Sequence, residues 1–203
     1  MINFNFEKDF SIDYEMPINL LSIDPRCDGA NEIKDNDLLS KYFSDFAESY
    51  LHAGDLIFKH YMLLIKNCDN PNTFPIYGLN MPGVFYRLYF HAIEMKLKSL
   101  VFAAEQKKEG KQIKVGHEYG KLIPIIQENY VFIGKTDAGY VGYIYKLESF
   151  SNGSQTGRYP TDSKGKIIGK EDNNGVVYNT GIATMVYHIH ELFTDYFPNL
   201  ILK

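Results

Sequence analysis

The chain has no tryptophan and only two cysteines in 203 residues, and no apolar stretch reaches the ~18 residues needed to cross a bilayer. Cys27 and Cys68 lie far apart and neither sits in a Cys-x-x-Cys pair. A zinc knuckle and a disulfide scaffold are therefore excluded, and two reduced thiols in a cytoplasmic protein are expected. No Gly-Lys-Ser/Thr ending marks a phosphate loop, and no Gly-x-Ser-x-Gly marks a nucleophile elbow. The opening stretch MINFNFEKDF carries acids and no apolar leader core, so neither an export signal nor a membrane partner is expected. Positive charge is also in short supply. The formal net charge is -4 and the pI about 5.9, which argues against non-specific polyanion binding by the whole surface. No metal or cofactor is expected: His188 and His190 point about 200° apart on a helix, and His52 and His60 are too far apart for one ion.

Aromatic residues are what the chain has in excess, with 16 Tyr and 14 Phe. Their spacing is mostly helical. Residues 37–68 repeat apolar side chains at three and four, with Asp35 or Asn36 as the cap and Gly54 as a mid-helix point of close approach or bending. Asn80 or Met81 before Pro82 reads as the start of a second long helix, from about 83 to 108. A third begins near His117 and continues to Tyr130, with a start or kink at Pro124. A fourth follows Thr136 or Asp137, and a last one covers 180–196. Residues 1–35 alternate Phe4, Phe6, Phe10, Ile12 and Tyr14 as an extended arm, and 157–179 read as a small β-hairpin around Asn174-Gly175. The expected fold is mostly α. It is a single domain of four to five bundled helices (main helices in 36–156, the last helix and tail in 180–203), with an N-terminal arm and a β insert before the last helix.

The second helix carries an oddity. Arg87, His91, Glu94 and Lys98 lie within about 60° of one another on a surface that is otherwise apolar nearly all round. Three readings stand: a solvated face with i,i+4 pairs, a buried polar network, or a functional site. If the stripe is buried, Glu94 requires donors, from Lys98 or His91 on its own helix and from His117 or Arg158 elsewhere.

These residues carry a resemblance. FHAIEMKLKSLVF, then GHEYGKLIPII and later GRYP, resemble the HEPN-like helical-bundle superfamily, common in prokaryotic defence and nucleotidyltransferase-associated proteins. The matching positions are His91, Ala92, Glu94, Lys98, Leu100, Gly116, His117 and Leu122, within about residues 83–160. The resemblance implies a helical bundle, a homodimer, and a regulatory role in a defence or toxin–antitoxin-like setting with a protein partner or RNA. Catalytic members cut RNA with an Arg, four to six residues, then a His on a late helix. Here Arg87 and His91 are separated by three residues on an early helix, and Arg158 has no His nearby. The resemblance therefore points to a non-catalytic member. The alternative is an atypical metal-independent ribonuclease or nucleotide-acting enzyme using His91, Glu94, His117 and Arg158. Tyr159, Lys164, Lys166 and Lys170 interleave an aromatic ring and cations, and are the expected single-strand RNA contacts.

Overall fold

The computed structural model describes residues 36–69, 74–105, 116–134, 138–151 and 179–203. All of them belong to one compact unit, Asp35–Lys203. Its elements are α1 (Asn36–Lys66), α2 (Ile76–Glu105), α3 (Tyr119–Asn129), β1 (Tyr130–Phe132), α4 (Ala138–Ser151), α5 (Asn179–Glu191) and β2 (Leu200–Leu202). Between α5 and β2 the chain makes a π-helical turn, Leu192–Tyr196, and a 3-10 turn, Phe197–Asn199. The described residues form a mostly α bundle, as the periodicity indicates, with one small antiparallel two-stranded element.

α2 is the central rod. Phe85, Tyr89, Ile93, Leu97 and Val101 are buried on it, and so are Phe90, Ala92 and Ala104 on its other sides. A helix covered on nearly all faces reads as apolar all round, which is the texture of this segment. α1 lies along it and is tied to it by polar contacts between the two helices: Ser40 Oγ to the Ser99 carbonyl at 2.9 Å and Lys96 Nζ to Ser44 Oγ at 2.8 Å. Leu122, Ile123 and Ile126 of α3, Val141, Ile144 and Leu147 of α4, and Ile182, Val186 and Ile189 of α5 complete the core.

Two boundaries differ from the periodicity. α2 starts at Ile76, and Pro82 lies inside it. Pro75 opens the helix, with the Gly78 amide donating to its carbonyl at 2.8 Å. Gly78 is wedged against Phe74 and Leu64, where a Cβ would come within 2.6 Å and 3.3 Å of their side chains. Packing on α1 thus holds two extra turns in spite of the amide hydrogen missing at Pro82. α3 ends at Asn129, and Tyr130 is extended (φ -119°, ψ 153°). There the chain pairs with its distant C-terminal segment, Tyr130 opposite Leu202 and Val131 opposite Ile201. The hairpin expected at 157–179 lies outside the described residues except for Asn179, which opens α5, and the arm expected at 1–35 and Cys27 lie outside them too; Cys68 is a half-buried thiol.

Candidate functional site

Glu94 is the most deeply placed carboxylate of α2, 1 % exposed, and its partners come from two directions. Lys98, one turn on and itself buried, donates from Nζ to Oε1 at 2.7 Å. His117, in the segment leading into α3, brings Nδ1 within 2.7 Å of the same oxygen. His91 Nδ1 is 3.8 Å from Oε2, too long for a hydrogen bond, and Oε2 has no hydrogen-bond partner among the described residues. α1 closes the other side: the His91 ring packs against Tyr50 at 5.4 Å, and the Lys98 ammonium lies 5.9 Å from the centre of the Phe43 ring.

The electrostatics follow from this arrangement. Burial alone pushes the Glu94 carboxyl up, but His91, Lys98 and His117 together outweigh it and hold the group down at about 2. It is a permanent carboxylate at neutral pH and a poor proton acceptor for general-base work. Tyr119 sits beneath it, donating its hydroxyl to the Phe90 carbonyl at 2.7 Å. Burial, followed by the charges of Glu94 and Glu148, pushes that phenol well above its ordinary value.

Of the expected cluster, His91, Glu94, Lys98 and His117 are brought together. Arg87 is half-buried on α2 and is not among the partners of Glu94. Arg158 lies outside the described residues, as do Tyr159, Lys164, Lys166 and Lys170. The stripe is not a solvated face: Glu94 and Lys98 are buried in a polar network with one exposed member, His117, whose side chain is 62 % exposed. His117 owes its position to the start of α3. Glu118 makes no side-chain cap there; Glu148 of α4 accepts the Tyr119 amide at 2.7 Å and the Gly120 amide at 3.2 Å.

A second cluster carried no signal in the sequence. Asp55 of α1 accepts a hydrogen bond from the Tyr89 hydroxyl at 2.7 Å, and the same oxygen lies 2.7 Å from His190 Nε2 of α5. Gly54 makes room for it: a Cβ there would lie 2.9 Å from the Tyr89 ring. His188, two residues before His190, turns to Glu191 instead, at 2.7 Å. The two histidines serve different partners, as their helical spacing requires. No group of three or more His, Cys, Asp or Glu suited to a metal ion occurs among the described residues. None of the described helices is long and apolar enough to cross a membrane. No family model, curated protein or solved structure matches this chain.

Proposed function

We propose that the chain is a non-catalytic HEPN-like binding module that engages a protein partner or RNA, in a prokaryotic defence or toxin–antitoxin-like setting, as a homodimer. One observation carries the reading. The two sequence motifs behind the resemblance meet in space: His117 of the Gly-His motif reaches Glu94 of the His-Ala-x-Glu helix at 2.7 Å, with Lys98 on the same oxygen. The meeting makes a structural knot. Its carboxylate is held ionised by cationic and histidine partners, so it is a weak candidate for proton abstraction. Val131, Ile133 and Ile201, each more than half exposed at the small sheet, are the apolar surface that supports self-pairing. The test is incubation of the full chain with mixed RNA, with and without divalent metal. Intact RNA is the expected result, together with a light-scattering mass near twice 23.4 kDa. Cleavage that disappears in His91→Ala or His117→Ala, with the fold preserved, would establish the atypical ribonuclease instead.

A further inference from the structure

Away from the Glu94 knot, a cleft of about 340 Å³ opens between α4 and the end of α5, lined by Gly139, Tyr140, Tyr143, His188 and Glu191. Each lining side chain is held from behind. The Tyr140 ring stacks on Tyr196 at 5.1 Å and meets Phe132 edge-on at 5.8 Å, while its hydroxyl donates to Asp195 Oδ2. Tyr143 donates its hydroxyl to the Met185 carbonyl at 3.1 Å and packs its ring 5.2 Å from His188. Glu191 lies 2.7 Å from His188 Nδ1. The cleft is therefore preformed, and a ligand would not have to order it.

Its chemistry is one-sided. The protons of Tyr140 and Tyr143 are already committed to Asp195 and Met185, so few donors remain for an anion. The carboxylate of Asp195 is satisfied by neutral donors, Tyr140 and the Asn199 side-chain amide at 3.0 Å, so its charge is not cancelled there. Among the described residues, neither Lys nor Arg lines the cleft. The tyrosines register the field. The bond to Asp195, then burial, then the charges of Asp195 and Glu191 push the Tyr140 hydroxyl up to about 12, and burial followed by Glu191 raises Tyr143.

From the rings, the Glu191 carboxylate in the lining with Asp195 behind Tyr140, and the volume, we infer that this cleft binds an organic cation, a methylated ammonium or a guanidinium, seated between Tyr140 and Tyr143 and facing Glu191, whose other partner is His188. Aromatic faces and a nearby carboxylate are the combination that recognises such groups. The cation has two sources, a free small molecule or a basic side chain presented by a partner, and the two probes below separate them.

The test is an amide-resolved NMR titration of the full chain with tetramethylammonium and with N-acetyl-arginine amide. Saturable shifts centred on Gly139, Tyr140, His188 and Glu191 are expected with at least one probe, and the better probe identifies the source. Neopentyl alcohol, of similar shape and uncharged, should bind about tenfold or more weakly, and Glu191→Gln should weaken the cation by about tenfold. Gly139→Leu should block the cleft without lowering the thermal midpoint, because a Cβ at Gly139 meets nothing within 4 Å. Absence of saturation with both probes would overturn the inference. So would equal binding of the alcohol, undiminished binding in Glu191→Gln, or undiminished binding in a folded Gly139→Leu.

Discussion

Glu94 shows how a single buried charge is tolerated: its desolvation is offset by Lys98 and His117 at 2.7 Å each. Replacing it with Ala strands the buried Lys98 ammonium, and a loss of roughly 3–5 kcal/mol is expected in urea denaturation. A midpoint within about 1 kcal/mol of wild type would place the stripe in water. The pH dependence has a definite sign. The folded value of about 2 lies below the ordinary 4.5, so the contribution is complete above about pH 4.5 and is lost as pH falls towards 2. Its size is on the order of 3 kcal/mol, and Glu94→Gln should flatten the acid limb of the stability profile across that window. Tyr86 is the opposite case, with a buried hydroxyl that has no hydrogen-bond partner among the described residues. Tyr86→Phe should leave stability unchanged or raise it by about 1 kcal/mol, measured by the same urea midpoint. The Glu94 knot was legible in sequence because helical spacing aligns 87, 91, 94 and 98 and a lone buried carboxylate demands donors. The arrival of His117 was one of several open choices. The pairing of Asp55 with His190, 135 positions apart, was not legible, since no spacing rule connects them.

At the scale of elements, glycine position separates packing from propensity. Gly54 and Gly83 both lie inside helices, and propensity alone favours Ala at both by about 1 kcal/mol. At Gly54 the added Cβ would press 2.9–3.2 Å from the Tyr89 ring, which is fully buried and fixed by Asp55. Gly54→Ala should therefore cost about 1–3 kcal/mol net, the size of an overpacking strain. At Gly83 nothing lies within 4 Å, and Gly83→Ala should stabilise by about 0.5–1 kcal/mol. Thermal melts of the pair check both signs, and equal shifts would mean that Tyr89 yields freely. The helices themselves were readable from three-and-four spacing because each buries one continuous face, or in α2 nearly all faces. Pro82 is a strong local signal for the start of α2, but the contact of Gly78 with Leu64 of α1 is tertiary and outweighs it. Local chemistry proposes boundaries, and packing against α1 decides them.

At the scale of the molecule, the described unit is closed by its last residues. β2 pairs with β1 across some 70 positions, and the Ile133 amide donates to the Asn199 carbonyl at 2.9 Å while the Lys203 amide donates to the Asn129 carbonyl at 2.9 Å. The Lys203 ammonium also reaches the Gln127 and Glu128 carbonyls at 3.2 Å and 2.7 Å, where the last turn of α3 leaves acceptors without helical partners. Three residues of strand would not hold such a sheet alone. It persists because Leu200 and Leu202 pack against the core behind it and because Tyr130 anchors β1 through its hydroxyl to the Leu100 carbonyl of α2 at 2.8 Å. Removal of residues 200–203 takes away the pairing of β2 with β1, the Lys203 amide bond to Asn129, two half-buried leucines and the charge at the end of α3. At about 1 kcal/mol for each bond and each leucine, the loss should be on the order of 3–4 kcal/mol. Lys203→Ala alone, which leaves the strand in place, should cost under about 1 kcal/mol. Hydrogen exchange distinguishes a structural clasp from an appended tail. In the truncated chain the amides of β1 and the last turn of α3 should lose protection while those at the centre of α2 keep theirs. If β1 and α3 stay protected without residues 200–203, the bundle is closed by its helices alone and the small sheet only decorates it.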